Sequence, residues 1–395
     1  MARQWILRTG TKRSGFRYVR EGGRPVTSAS TLARVAALRI PPGWRDVQIA
    51  ASPRAAVQAW GFDAKGRKQY RYHAAAVEQG ALRKYYRVRQ LARDLPTIRT
   101  RVARDFRRRG LPKRRVAAGV VRLIDENFFR VGSERYAREN KTYGITTMLK
   151  RHAQAQPRRA VAVFDYVGKE SIQQRQVVVD PELARFVATL EKTPGRRLFR
   201  YQAGNGSWSD LTAREVNDYL RSLVGIAYTA KDFRTWGGTL RAATILADLG
   251  PAKSATEAKK NVLTAVRLVA AELGNTPAVA RSSYIHPLVL SRYLDDGETI
   301  TLPRRTRGAP PDSEGHTPEE RGLIKFLNTH FPERRTHRRD RRGGARAELG
   351  DRRSDSLGSI PVVPRADLPE RPGGGSQEPT SQSQRARSQA SAVSS

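Results

Sequence analysis

Five residues scattered over about 150 positions, Arg130, Lys169, Arg234, Asn275 and Tyr284, are of types that could together work on a phosphodiester. A phenol, with an ordinary pKa of roughly 10, is a poor nucleophile unless cations stabilise its developing phenolate. Arginine suits that task, because its charge is permanent and its planar fork matches two phosphate oxygens at once. Arg130 stands between Phe128-Phe129 and Val131-Gly132, and Arg234 stands within Lys231-Asp-Phe-Arg-Thr-Trp-Gly-Gly238. Both fall at the ends of elements, whereas most other arginines fall on mid-helix faces. Each residue alone has an ordinary explanation. Tyr284 could be a packed aromatic, either arginine a surface charge, Lys169 a solvated turn residue, and Asn275 the cap of the turn after Gly274.

The charge balance names the kind of partner. The chain has 395 residues, with 74 Lys and Arg against 37 Asp and Glu. Of these, 18 basic and 12 acidic side chains follow Leu302, which leaves a net charge of +31 on residues 1–302. Charge of that size favours a polyanion, since each neutralised phosphate releases counterions. The competing explanation is an arginine-rich solvated surface. There is no cysteine, so neither a disulfide framework nor a thiolate zinc site is available. No GxxxxGK[ST] phosphate loop and no obvious carboxylate cluster are present. The amino-terminal Met-Ala-Arg-Gln-Trp-Ile-Leu-Arg has no long apolar core, and no apolar run approaches the ~18 residues of a membrane span. A cytoplasmic, nucleoid-associated protein is the expectation.

The pattern along the chain predicts an α+β protein in three parts. Residues 1–78 read as a small β-rich domain. Phe16–Val19, Asp46–Ala50 and Gln69–His73 are strand-like, Gly22-Gly23 is a turn and Thr31–Leu38 is a short helix. Tyr70 and Tyr72 share one face of the last strand. Residues 79–302 read as mainly helical. Leu82, Tyr85, Val88, Leu91 and Leu95 recur every three or four positions, and Ile98, Val102 and Phe106 stay in register. Val116, Val120, Ile124 and Phe128 form a further face, with Gly132 as its stop. Ala160–Phe164 and Gln176–Val179 predict a hairpin with Lys169 near its tip. Thr212-Ala-Arg-Glu215 fits a capping box, and helices are predicted over Thr239–Leu249 and Ala255–Leu273, the second ending at Gly274. Residues 303–395, rich in Pro, Gly, Ser and Arg, are expected to form a disordered tail, except for a short helix around Leu323–Leu327 with Phe331.

Read jointly, these segments resemble the type IB DNA topoisomerases, a family shared by poxviruses, many bacteria and eukaryotes. Phe129 to Gly144 is similar to the family's first catalytic-arginine motif, and Lys231-Asp-Phe-Arg-Thr-Trp-Gly to its second. Leu273-Gly-Asn-Thr-Pro through Tyr284 is similar to its nucleophile motif. Asp63-Ala-Lys-Gly-Arg-Lys-Gln-Tyr-Arg-Tyr-His73 resembles the DNA-contacting strand of the short, poxvirus-like members. The resemblance covers roughly residues 1–300, with the motifs in order.

The resemblance implies a small amino-terminal domain and a helical catalytic domain of the kind shared with tyrosine recombinases, closing around double-stranded DNA as a monomeric clamp. Tyr284 would form a 3′-phosphotyrosyl link and expel a 5′-hydroxyl, with no cofactor, ATP or metal, and the missing phosphate loop and carboxylate cluster agree with that implication. Arg130 and Arg234 would stabilise the pentacoordinate phosphorus, and Lys169 would protonate the leaving oxygen. Asn275 replaces the histidine of viral and eukaryotic members. It would donate an amide hydrogen bond to a non-bridging oxygen, but carries no proton charge. Lys65, Arg67, Tyr70, Tyr72 and Tyr136 would contact DNA; their ordinary alternatives are strand packing and solvated charge. Two other readings remain open at this point, a tyrosine recombinase and a non-catalytic basic DNA-binding protein.

Overall fold

The computed structural model describes residues 4–302 and 315–331. The amino-terminal part is an antiparallel sheet built from β1 (Trp5–Thr11), β2 (Gly15–Arg20), β3 (Arg45–Ala50), β4 (Val57–Phe62) and β5 (Lys68–Tyr72), in the order β2-β1-β3-β4-β5. One face buries Ile6, Val47, Ile49 and Ala59 against Val35 of α1 (Ala29–Ala37). The other face presents aromatic side chains. Three of the strands and the helix match the sequence reading. β1 and β4 do not appear in it, and β4 is instructive. Its alternation is disguised by Gln58, which is 3% exposed. That amide is satisfied by Arg34 and by the carbonyls of Pro53 and Ala55, so a polar residue occupies a buried position.

Strand β5 runs directly into α2 (Ala74–Phe106), capped by His73, whose ring nitrogen accepts the Ala75 N–H. The helix continues through Pro96 as one 33-residue element, starting six residues before Gly80. Its buried Tyr85, Val88, Leu91, Leu95, Ile98, Val102 and Phe106 trace the predicted stripe. It packs on α3 (Lys113–Asn127). The sequence reading stops α3 at Gly132; instead Phe128, in a left-handed conformation at φ 56°, closes it. The chain then passes Arg130 and enters α4 (Glu134–Glu139).

A second sheet follows, β6 (Ala153–Gln156), β7 (Val161–Val167) and β8 (Gln173–Val179), in the order β6-β7-β8. β7 and β8 form the predicted hairpin with Lys169 in its connection. Then come α5 (Pro181–Glu191), the short ribbon of β9 (Arg200–Gln202) and β10 (Trp208–Asp210), and α6 (Ala213–Val224), which opens with the expected Thr212/Glu215 capping box.

The remaining helices are α7 (Ala230–Leu249), α8 (Ala255–Leu273), α9 (Pro277–Ser283), α10 (Pro287–Asp296) and α11 (Pro318–His330). α7 starts nine residues before the sequence reading placed it. α8 ends as expected, at Gly274 with φ 59°. α11 is the helix anticipated around Leu323–Leu327, and it packs on α2 and α7. Its Glu320 is 2% exposed and receives hydrogen bonds from Arg99 and Trp236, while Arg99 also pairs with Asp125 of α3. Burial alone would raise the Glu320 carboxyl, but the charge-assisted bonds from Arg99 outweigh it and hold the pKa below the ordinary value. Residues 303–314 and 332–395 of the expected tail lie outside those described. Among the described residues no helix is long and apolar enough to cross a membrane.

Candidate active site

The site forms where the ends of α3, α8 and α9 meet the first turns of α7. Arg234 is 3% exposed. Its terminal nitrogens donate to the main-chain carbonyls of Phe128, which caps α3, and of Leu273, which ends α8, the latter at 2.8 Å. These carbonyls are orphans of their helices, so one guanidinium joins two helix ends and is itself fixed in orientation. Burial lowers its pKa and the nearby Arg130 charge lowers it further, with the Tyr284 phenol acting in the opposite direction.

Arg130 is held from the other side. Its Nη2 donates to Gly274 O at 2.6 Å and to Asn275 Oδ1 at 2.7 Å. The segment carrying it is braced by Ile145, whose N–H reaches Arg130 O, and by Thr146, whose N–H reaches Val131 O. Because Asn275 spends its oxygen on Arg130, its amide nitrogen is the end left to face a ligand. That nitrogen is buried without a hydrogen-bond partner, as is Arg234 Nε. Orphaned donors on neighbouring residues are what an acceptor-rich anion needs. Asn275 is also part of the turn after Gly274, since its N–H bonds Ala270 O.

Tyr284 closes α9, with its ring centroid 5.0 Å from the Arg234 guanidinium carbon. Gly238 of α7 sets this approach. A methyl group there would lie 2.9 Å from Tyr284 O and 3.3 Å from its Cβ. The adjacent Gly237 packs under the Phe128 ring in the same way. Sequence reasoning did not pick out either glycine, because it starts this helix at Thr239 and so leaves both outside it. Tyr166 of β7 was also overlooked. It is 4% exposed, and burial raises its pKa to about 12 against the opposing pull of Arg130 and Arg234.

Four of the five candidates, Arg130, Arg234, Asn275 and Tyr284, are therefore gathered around one point. Lys169 is placed differently. It sits at the hairpin tip with its side chain 68% exposed and its Nζ 3.6 Å from Glu170. Gln174 lies between that tip and the site, packed against both Gly168 and Gly274.

The DNA-contact candidates lie on exposed surfaces. Tyr70 and Tyr72 are 43% and 53% exposed and stack on each other with centroids 5.8 Å apart, so they are not packed into the sheet. Lys68 Nζ lies 3.6 Å over Trp60, and Trp60 in turn meets Trp5 and Phe62 edge-on. This aromatic face extends what the strand motif indicated, because neighbours from β1 and β4 were not anticipated. Lys65 and Arg67 are on the β4–β5 turn. There Asp63 accepts both of their N–H groups and pairs with the Arg67 guanidinium at 2.7 Å. Tyr136, on α4, is 46% exposed.

Comparison with known proteins identifies the family. The family model for the eukaryotic DNA topoisomerase I catalytic core matches residues 73–301, and that for the bacterial DNA topoisomerase IB amino-terminal domain matches residues 15–63. DNA topoisomerase 1B of Acanthamoeba polyphaga mimivirus is 32% identical over 276 residues, 68% of this chain and 81% of the relative. DNA topoisomerase 1B of vaccinia virus (strain Copenhagen) is 24% identical over 244 residues, 60% of this chain and 72% of the relative. DNA topoisomerase 1 beta of Arabidopsis thaliana is 28% identical over 184 residues, 44% of this chain and 18% of the relative. The chain belongs to the type IB DNA topoisomerase family. It is an isomerase whose substrate is DNA, with the bacterial form of the amino-terminal domain.

Proposed function

We propose that the chain relaxes both positive and negative supercoils through a transient single-strand break, with Tyr284 as nucleophile. The phenol oxygen attacks phosphorus, the 3′-phosphotyrosyl bond forms as the bond to the 5′ oxygen breaks, and the free strand swivels. The 5′-hydroxyl then attacks back and releases Tyr284. The ester keeps the bond energy, so neither ATP nor a metal is required. Arg130 and Arg234 stabilise charge on the non-bridging oxygens, and Asn275 donates its amide hydrogen to one of them. The observation that carries this reading is the convergence of Arg130, Arg234, Asn275 and Tyr284, with Arg234 Nε and Asn275 Nδ2 left as buried donors.

Residues 1–78 and 79–302 act as the two halves of a monomeric clamp on duplex DNA. Lys65, Arg67, Tyr70 and Tyr72 make contacts from one half and Tyr136 from the other, the aromatic rings reading groove and backbone surfaces. The protein works in the cytoplasm on the nucleoid. The test is to incubate pure protein with plasmids of either supercoil sign in EDTA without ATP. Relaxation of both is expected; dependence on ATP or on a divalent cation would overturn the mechanism.

Lys169 enters as the general acid when its hairpin meets DNA, since an alkoxide is a poor leaving group. Lys169→Ala is expected to slow cleavage by ~10²–10⁴-fold. The rate should recover on a substrate whose leaving 5′ oxygen is replaced by sulfur, which needs no proton to depart. Absence of rescue removes Lys169 from this role.

A further inference from the structure

The main chain around Tyr284 is held by a side-chain set outside the phosphate-facing group. Lys84, in the third turn of α2, donates from Nζ to Ser283 O at 3.2 Å. Its neighbour Tyr85 is 4% exposed and donates its hydroxyl to Ile285 O at 3.0 Å. The carbonyls before and after Tyr284 are thus both bound by adjacent residues of one helix, and the Lys84 ammonium lies 4.2 Å from the Tyr85 ring. On the opposite side, the Thr239 hydroxyl of α7 accepts the His286 N–H at 3.0 Å and lies 3.3 Å from Tyr284 O. His286 packs on Tyr85, with centroids 4.3 Å apart, and caps α10 by accepting the Leu288 N–H. The nucleophile's backbone therefore has two supports, and one of them is the helix that leaves strand β5 at His73.

We propose that Lys84 and Tyr85 are positioning residues that set the placement of the Tyr284 phenol by holding the Ser283 and Ile285 carbonyls, thereby tying the nucleophile to the helix continuous with the Tyr70/Tyr72 strand. The inference rests on Tyr284 being the nucleophile. A lysine is an expensive way to hold a carbonyl at this site. Burial, reinforced by the Lys231 charge on α7, lowers the Lys84 pKa to about 8. Two other groups adjoin it: the Tyr85 phenol, with its pKa raised by burial to about 12, and the His286 imidazole, lowered to about 3 by burial and by the Lys84 and Arg89 charges. The sign follows from the lowered pKa. Between the folded value of about 8 and the ordinary 10.5 the unfolded chain binds more protons, so stability rises with pH across that window. Below about 8 the charge works fully against folding.

The experiment measures single-turnover cleavage, duplex affinity and Tm for the full-length wild type, Lys84→Met and Lys84→Arg, with Tyr284→Phe alongside. Lys84→Met is expected to cleave at least ~10-fold more slowly, with unchanged affinity and a Tm that does not fall. Lys84→Arg is expected to recover most of the rate. Wild-type cleavage should decline as pH rises through about 8, whereas Lys84→Arg, whose charge persists, should lack that step. A wild-type rate in Lys84→Met, a loss matched by weaker binding, or a loss matched by a lower Tm each overturns the proposal. Cleavage by Tyr284→Phe would instead overturn the nucleophile assignment on which it rests, whatever Lys84 does.

Discussion

Replacing Tyr284 with phenylalanine is expected to abolish relaxation and the covalent protein–DNA adduct, a loss of at least ~10⁴-fold, because removing the proposed nucleophile leaves only binding and electrostatic stabilisation. The substitution removes one oxygen. The ring that lies 5.0 Å from the Arg234 guanidinium carbon stays, as do the main-chain contacts at Ser283 and Ile285. Duplex affinity and Tm should therefore stay near wild-type values, and denaturing gels after incubation with labelled DNA report the adduct directly. An adduct formed by Tyr284→Phe would place the nucleophile elsewhere.

The second large effect belongs to Arg234. Arg234→Ala removes a cation from the phosphate in the proposed mechanism and leaves the Phe128 and Leu273 carbonyls without their donor. The first loss is worth ~10²–10³-fold in cleavage, by comparison with single donors at oxyanion sites. The second costs about 1–3 kcal/mol for each carbonyl that stays dry. Both cleavage and Tm are thus expected to fall, and Arg234→Lys separates the two. A lysine keeps the charge, but its single ammonium cannot span two helix ends and also direct an Nε–H at the ligand. Arg234→Lys is accordingly expected to retain more stability than alanine yet cleave poorly. Cleavage within about threefold of wild type in Arg234→Ala would remove this residue from the catalytic set, since a single oxyanion donor is normally worth far more.

Much of the scaffold could be read from local pattern, and the failures have identifiable causes. The face of α3, the Thr212/Glu215 box and the Gly274 stop of α8 were legible because each is one-sided or chemically distinct. The first nine residues of α7 were not. Asp232 through Thr239 are buried on every side, so no solvent-facing residue marks the helical period. That blind stretch contains Arg234, Gly237 and Gly238. The early end of α3 at Phe128 was equally hidden, because a non-glycine residue in the left-handed region gives no compositional signal.

The sequence by itself determined which residue types were available for phosphate chemistry, the positive charge of residues 1–302 and the order of the motifs, since these are properties of composition and spacing. Only the tertiary structure decided that Arg130 and Arg234 are fixed by the carbonyls of Phe128, Leu273 and Gly274, that Asn275 turns its amide nitrogen free, and that Lys84 and Tyr85 hold the backbone on either side of Tyr284. Those contacts join residues roughly 40 to 200 positions apart. They satisfy polar groups that helix ends and a sharp turn leave unpaired, and no local pattern records which distant side chain will supply the missing donor.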